Sequence, residues 1–323
     1  MSGIQVLCIG ELLFDYLADQ AGIPLPEVAS WTAYPGGAPA NVACALVKLG
    51  TSAGFIGCVG WDADGDALIA VLEDLHVNLA GLQRHPTAPT RNVFVTRSTE
   101  GDRTFAGFGA TDTTAFADTR LQAADLPELL FQGAKFLVLG TLELAYADSR
   151  AALHRSLELA RKHRLQVFVD VNWRPVFWPH PEDAKPLIAD VLRQADFIKL
   201  SVEEAEWLFG SPEPQTVAVA YPQVQGVLAT AGELGCRYWF PGGSGEIPAY
   251  AVAVVDTTGA GDAFSAGLLH QLCSRPQLDL ADSQSVQSIV RYASAVGALT
   301  TTQPGAIAAQ PTAETVDLFL GIL

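Results

Sequence analysis

Asp256-Thr-Thr-Gly-Ala-Gly-Asp-Ala-Phe-Ser-Ala-Gly267 is the stretch of this chain that carries most information about its fold. It follows an apolar run predicted to be a strand, Ala251–Val255, and continues into the helical spacing of Ala263–Cys273. A strand that turns through glycines into a helix is typical of α/β proteins, in which unpaired N–H groups at the helix start bind anions. The stretch therefore predicts an α/β fold with an anion pocket at the start of this helix.

Asp262 stands at the beginning of the predicted helix and faces the same pocket. Gly259, Ala260 and Gly261 can leave backbone N–H groups pointing outward beside the positive end of the helix dipole. An aspartate here could be no more than an N-cap. An N-cap, however, needs neither the preceding Gly-Ala-Gly nor the small residues that follow, which allow a ligand to approach the backbone. The pattern favours a site for a transferring phosphoryl group, with Asp262 as the base.

Gly36-Gly-Ala-Pro-Ala-Asn-Val-Ala43 is a second glycine-rich turn that leads into a helix. The glycines permit close backbone approach, and Pro39 suits the first turn of a helix. Asn41 on that turn can offer both a donor and an acceptor to a polyol. Taken alone, the motif is equally compatible with an ordinary turn before a buried helix.

Short apolar runs alternate with segments of helical spacing along most of the chain. This alternation predicts an α/β fold with a mostly parallel sheet and helices on both faces, in a single domain over residues 1–323. Residues 11–36 and 88–110 carry strand alternation without a long helix, and we expect them to form a small β-sheet lid. Residues 93–97, 100–102 and 103–105 are typical of a hairpin with a polar turn. The Pro/Gly cluster at 241–248 is expected to be a surface loop.

Composition excludes several classes of protein. With 49 % hydrophobic and 17 % charged residues, the 323-residue chain can bury a large core, and its net charge of −16 disfavours nucleic acid and anionic membranes as partners. The five scattered cysteines indicate reduced thiols rather than disulfides. No signal segment or membrane span is evident, so a cytoplasmic location is expected.

Together the two glycine motifs, about 220 residues apart, resemble the two signatures of the ribokinase-type (PfkB) carbohydrate kinase family. Further stretches resemble its fructokinase-like members: Gly10-Glu-Leu-Leu-Phe-Asp15, Asp170-Val-Asn-Trp-Arg174, Lys199-Leu-Ser-Val-Glu-Glu204 and Thr230-Ala-Gly-Glu-Leu-Gly235. The resemblance covers nearly the whole chain. It implies a ribokinase-like fold and an ATP-dependent kinase that phosphorylates a primary hydroxyl of a small sugar. Fructose is the first choice, while ribose, 2-keto-3-deoxygluconate and a nucleoside stay open.

The resemblance also implies roles for individual residues. Asp262 would be the base, and Gly259, Ala260 and Gly261 would form the anion hole. The sugar would contact Asp15, Gly36, Gly37, Asn41, Arg103, Glu143 and Arg174. The nucleotide side would comprise Asn172, Ser201, Glu204, Thr230, Gly232 and Gly235. The expected cofactors are ATP and Mg²⁺, with Glu204 acting on the metal through water, and K⁺ would lie near Asp256, Thr258 and Gly305. A homodimer through the lid is a further expectation.

Several of these residues have simpler interpretations when the residues are considered alone. Asp15 could be a turn residue after a strand, and Arg103 a solvated hairpin residue. Glu143 and Glu204 could be ordinary surface carboxylates. Arg174 follows a predicted strand, where a cation can neutralise phosphate.

The chain departs from the family pattern at two places. The family's N-x-x-E segment begins with asparagine, whereas this chain has Ser201, which keeps a hydroxyl and loses the amide. Many fructokinases carry F-Y-R after the lid hairpin, whereas this chain has Phe105-Ala-Gly-Phe-Gly109. An arginine that could touch the substrate is therefore missing from that segment.

Rival functions find little support in the sequence. The chain has no Gly-Lys pair and hence no P-loop, and its first predicted strand is not followed by G-x-G-x-x-G. No H-E-x-x-H motif or cysteine cluster indicates a metalloenzyme. A non-catalytic sugar sensor with a kinase fold is the remaining rival, and it would have no need for Asp262 as a base.

Overall fold

A computed structural model describes residues 3–97, 103–109 and 111–322, without the side chains of Arg97, Arg103 and Thr104. The strands are β1 Val6–Ile9, β2 Leu13–Ala18, β3 Trp31–Gly36, β4 Ala53–Gly60, β5 Asn78–His85, β6 Arg91–Arg97, β7 Arg103–Gly107, β8 Phe136–Leu139, β9 Gln166–Asp170, β10 Phe197–Ser201, β11 Gly226–Thr230, β12 Cys236–Phe240 and β13 Gly243–Ile247. The helices are α1 Ala38–Lys48, α2 Ala63–Asp74, α3 Ala147–His163, α4 Ala184–Leu192, α5 Val202–Phe209, α6 Pro214–Ala220, α7 Ala260–Ser274, α8 Ser283–Thr300 and α9 Ala313–Leu320.

The apolar runs predicted as strands lie side by side in a nine-stranded sheet, ordered β13-β12-β11-β10-β9-β8-β1-β4-β5. Neighbours from β11 to β5 run parallel, whereas β12 and β13 add an antiparallel edge. This confirms the predicted α/β class. Because the parallel strands share one direction, the segments that follow them emerge at the same edge of the sheet, where such folds bind ligands.

Both faces of this sheet are buried, as strands composed almost entirely of apolar residues require. Along β1, Val6 and Cys8 join a core beneath α1, α2, α7, α8 and α9. Leu7 and Ile9 join a second core beneath α3, α4, α5 and α6. All five cysteines are buried and unpaired. In the described part of the chain, no helix combines the length and apolar character needed to cross a bilayer.

A second sheet, ordered β3-β2-β6-β7, is built from residues inside the two stretches 11–36 and 88–110. Strands β6 and β7 pair antiparallel, and their polar turn lies outside the described residues. On one face Tyr16 stacks on Phe94, which Trp31 meets edge-on. These contacts lie within one chain, and the expected homodimer through this sheet stays a prediction.

Two local expectations were wrong. Ala251–Val255 forms no strand, because its backbone runs beside the end of α8, where the N–H groups of Val255 and Asp256 both donate to the carbonyl of Thr301. Val254 and Val255 are consequently exposed. The segment 241–248 contains the edge strand β13 rather than only a loop, since its backbone pairs with β12 despite the glycines.

Arg91 at the start of β6 is the largest fully buried side chain and joins the second sheet to the loop before β8. Its guanidinium forms two hydrogen bonds with Asp118, at 2.5 and 3.0 Å. Four aromatic rings surround it at 4.6–5.6 Å from their centroids: Phe108, Phe116, Tyr146 and Phe177. The charge is thus removed from water and depends on one carboxylate for compensation.

We expect Asp118→Asn to lower the free energy of unfolding by about 3–5 kcal/mol, because it leaves a buried guanidinium without its counter-charge. Asp66→Asn is the matched control: Asp66 pairs with Arg84 at 2.6 Å but is 68 % exposed, and should cost less than about 1 kcal/mol. Urea unfolding of both variants measures the difference. Equal effects would show that burial of the Arg91 pair is unimportant for stability.

Candidate active site

The motifs separated in sequence meet beyond the carboxyl ends of the parallel strands. Asp170 closes β9, Ser201 closes β10 and Thr230 closes β11. The glycine turn 36–37 leads from the second sheet into α1, and α7 packs directly against α1. The site is therefore assembled from the sheet edge and two helix N-termini.

Asp262 and Asn41 are in direct contact, although 221 positions separate them. The Asn41 amide Nδ2 donates to the Asp262 carboxylate Oδ2 over 2.8 Å. Burial, with a smaller contribution from the charge of Asp170, raises the pKa of Asp262 to about 6, against the lowering effects of Asn41, Lys199 and Arg174. A carboxylate with a pKa just below neutrality can accept a proton and release it again at physiological pH.

Asp262 occupies the first turn of α7, whose N-cap is Gly259. The N–H groups of residues 260–262 have no partner one turn earlier within the helix. The N–H of Ala260 donates to the carbonyl of Thr257 over a long 3.3 Å. Gly261 and Asp262 are the next two residues of this first turn. The turn thus presents backbone donors and the positive end of a 15-residue helix beside the carboxylate.

Glu11 holds the start of α1 in place. Its Oε1 accepts the N–H of Ala38 over 2.7 Å, and its own carbonyl lies against Gly37. Gly37 has φ +105°, and a Cβ there would come within 2.3 Å of that carbonyl, so no other residue fits. The position of Asn41 one turn later therefore depends on Glu11.

Glu143 lies against Glu11 in the protein interior and is only 3 % exposed. Its Oε2 is buried without a hydrogen-bond partner. Burial and the neighbouring Glu11 raise the pKa of Glu143 well above its usual range, and burial raises that of Glu11 to about 7. Two adjoining buried carboxyls cannot both ionise cheaply, so the pair retains a proton into the neutral range.

Lys199 is a buried cation between the strands and α7. Its Nζ lies 3.0 Å from both carboxylate oxygens of Asp170, and Oδ2 of Asp170 also accepts the hydroxyl of Ser265 over 3.0 Å. A Cβ on Gly261 would stand 2.9 Å from this Nζ. Glycine at 261 therefore allows the lysine tip to reach the start of α7.

Glu204 and Ser201 form a capping box at the start of α5. The Glu204 Oε2 accepts the N–H of Ser201 and its Oε1 accepts the N–H of Trp173, both over 2.7 Å. Glu204 thus ties the loop after β9 to the end of β10. Asn172 in that loop has φ +36°, an uncommon conformation for a non-glycine residue.

Asp256, Thr258 and Gly305 are brought together by the Asp256 carboxylate. One oxygen accepts the N–H and hydroxyl of Thr258, and the other accepts the N–H of Gly305 over 2.9 Å. The three residues line a cavity of about 260 Å³ together with Asp15, which also adjoins Gly36. A larger open groove of about 840 Å³, between α6 and strands β12–β13, contains none of these residues.

The remaining candidates are more peripheral. Arg174 is exposed, yet its charge lowers the pKa of Asp262. Thr230 bonds weakly to the Leu200 carbonyl, and Gly232 and Gly235 form a tight turn after β11. Arg103 begins β7, but its side chain lies outside the described part of the structure.

Sequence reasoning assigned no role to Lys199 and Glu11, which the structure places within the site. Lys199 had a detectable signal, because a charged residue inside an apolar buried strand is rare unless it is paired. Glu11 had no such signal. It lies between β1 and β2, and its contact with Ala38 depends on how the second sheet is placed relative to the first.

Comparison with known proteins agrees with this architecture. Residues 4–313 match the sequence model described as "pfkB family carbohydrate kinase". Fructokinase-1 of Oryza sativa subsp. japonica is 36 % identical over 310 residues, covering 95 % of this chain and 94 % of the relative.

Among solved structures, fructokinase from Xylella fastidiosa with bound ATP has a TM-score of 0.86 at 29 % identity, covering 98 % of this chain and 99 % of that one. Fructokinase from Vibrio cholerae O395 in its fructose-, ADP- and calcium-bound form has a TM-score of 0.85 at 29 % identity, covering 99 % and 100 % of the two chains.

The Glu11–Glu143 pair predicts a pH dependence of stability. Because folding raises the pKa of both groups, the stabilisation is complete below about pH 4.5 and is lost as pH rises towards about 7 and beyond. Glu143→Gln keeps a neutral group there at every pH. Relative to the wild type, this variant should therefore gain stability as the pH rises from 5 to 8.

Urea unfolding at both pH values measures this change, and Glu206→Gln on the exposed face of α5 is the control, which should change little. A wild-type-to-variant difference that stays constant with pH would contradict the shared proton.

Proposed function

This chain belongs to the PfkB family of carbohydrate kinases, and from that membership we propose that it transfers the γ-phosphate of ATP to a primary hydroxyl of fructose. The choice of fructose rests on the names of the relatives and on the Asp170–Arg174 stretch. Ribose, 2-keto-3-deoxygluconate and a nucleoside are the alternative acceptors to be tested.

One observation carries the proposal: Asp262, with its pKa raised to about 6, lies in the first turn of α7, whose N–H groups have no partner within the helix, and is held there by Asn41. A base and an anion-binding turn are thereby a single structural unit. In the proposed reaction, Asp262 accepts the proton of the sugar hydroxyl as its oxygen attacks phosphorus. Residues 259–261 hold the phosphoryl oxygens, which disperses the charge that develops during transfer.

Sugar binding is assigned to the residues around the second sheet and the start of α1. Asp15, Gly36 and Gly37 adjoin the turn, and Asn41 can contact a hydroxyl while it orients Asp262. We propose that the second sheet, residues 11–36 and 88–110, acts as a lid over this site. Glu143, which lies against Glu11 and whose Oε2 has no hydrogen-bond partner, is a further proposed contact to the sugar.

The nucleotide is assigned to the turn after β11 and to the loops that Glu204 joins. Magnesium would neutralise charge on the β- and γ-phosphates when bound. Glu204 fits a role towards it through water, since each carboxylate oxygen accepts one backbone N–H and keeps a further lone pair. The loop pair held by Asp256 is the proposed potassium site, because backbone oxygens of such loops suit that ion.

Asp262→Asn should lower kcat by at least about 10²-fold, because the amide cannot accept the hydroxyl proton. ATP and sugar binding, measured by calorimetry, should change little since the Asn41 contact can be kept. Asp190→Asn on the exposed surface of α4 is the control and should retain full turnover. Near-normal turnover of Asp262→Asn would remove this residue from the mechanism.

The acceptor is tested by release of ADP from Mg·ATP with a panel of fructose, ribose, 2-keto-3-deoxygluconate and nucleosides. We expect the highest kcat/KM with fructose. Binding of a sugar without ADP release from any acceptor would instead favour a non-catalytic sensor, and a clear preference for another acceptor would overturn fructose.

A further inference from the structure

Lys199 is a charged residue in a strand that is otherwise built for the core. Its neighbours Ile198 and Leu200 are fully buried, and Lys199 itself is 7 % exposed. Removing the ammonium group of a lysine from water is costly. The group stays charged here only if neighbouring groups stabilise its charge. The structure shows which groups do so.

Three carboxylates from three elements face Lys199: Asp170 on β9, Glu204 on α5 and Asp262 on α7. Burial alone would lower the pKa of Lys199, but these carboxylates, Asp170 foremost, raise it above its usual value. The lysine is therefore an ammonium ion throughout the neutral range. Asp170 has Ser265 as a second partner, so it keeps a hydrogen bond when the lysine tip moves.

The ammonium group of Lys199 lies beside the N-terminus of α7. The 2.9 Å between Nζ and the site of a Cβ on Gly261 places it against the turn that carries the backbone donors. A lysine end has three donors and rotatable bonds, so a small movement can redirect one N–H without breaking the whole pair with Asp170.

Given the proposed function, we propose that Lys199 is a further catalytic residue, whose ammonium group contacts the phosphoryl group during its transfer from ATP to the sugar. The backbone N–H groups of α7 and the Lys199 Nζ then bind the phosphoryl oxygens from adjacent directions. The four charged side chains at this point sum to a negative charge without ligands, so a phosphoryl group needs this nearby cation to approach.

The step balances without a further reactant. The sugar oxygen forms a bond to the γ-phosphorus, and the bond from that phosphorus to the β,γ-bridging oxygen breaks to release ADP. The hydroxyl proton passes to Asp262. Lys199 stays protonated and exchanges part of its contact with Asp170 for a phosphoryl oxygen, which stabilises charge and transfers no proton.

The test compares Lys199→Met with Lys135→Met in the purified full chain, using Mg·ATP and the sugar that the wild type phosphorylates fastest. Lys135 precedes β8 at the opposite edge of the sheet, where its Nζ bonds to the carbonyl of Cys273, and its loss should leave kcat within about 2-fold. Lys199→Met should lower kcat by about 10²–10³-fold, as expected for one donor to a developing charge, while the Kd of the sugar stays nearly constant.

The pH profile of kcat/KM separates a contact with the phosphoryl group from an influence on Asp262 alone. The wild-type profile should fall below about pH 6 as Asp262 is protonated, and loss of Lys199 should move this limb to higher pH. If Lys199 acted only through Asp262, the limb would move but the plateau above it would be unchanged, which overturns the proposal. A lowered plateau supports it.

Thermal melting checks that the variant is folded, because Lys199→Met leaves Asp170 without its cation. If that variant fails to fold, the double variant Asp170→Asn with Lys199→Met removes both charges and should show the same lowered plateau. Wild-type protein inactive on every sugar would refute the proposed function itself. Active wild type with a plateau in the variants within about 3-fold would refute the role of Lys199 alone.

Discussion

The hydrogen bond between Asn41 and Asp262 is the contact on which the site depends. It joins the first turns of α1 and α7, two helices that start far apart in sequence and pack side by side. Each helix begins with a glycine that its surroundings require, Gly37 against the Glu11 carbonyl and Gly259 at φ +76°. Because both N-termini converge on one carboxylate, its charge lies where two helix dipoles favour an anion.

A site that attracts anions in a chain of net charge −16 needs its charges arranged locally. Opposite charges are paired there: Lys199 forms a salt bridge with Asp170 and also interacts electrostatically with Asp262, and the Asp170 carboxylate is further bound by Ser265. The positive charge at the site is thus the buried ammonium group of Lys199. Burial makes these interactions stronger than surface pairs, and their strength decays over a few ångströms, so the overall acidity does not prevent phosphate binding.

Features of the fold and site that depend on residues close together in the chain could be predicted from the sequence, whereas contacts between distant residues could not. The alternation of apolar runs predicted the parallel sheet, and the glycine motifs predicted both helix starts, because these are local properties of the chain. That residues 41 and 262 belong to one site followed only from the family resemblance, and their direct hydrogen bond was not predicted. Val254 was expected in a strand because it is apolar, but strand formation needs a neighbour with free backbone groups. Glu11 and Arg91 were not recognised, since their roles arise from burial between elements.

The second sheet contacts the loop after β9 through aromatic packing, and the arginine that the F-Y-R pattern would supply is absent. Phe105 and Phe108 pack together and both contact Phe177, five residues after Asn172. Phe108 also lies over the buried guanidinium of Arg91. Residues 105–109 thus contribute apolar and cation–π contacts and contain no cation of their own. In the proposed site, recognition of the sugar hydroxyls is left to groups outside this segment, such as Asp15 and Asn41, which can match the pattern of hydroxyls.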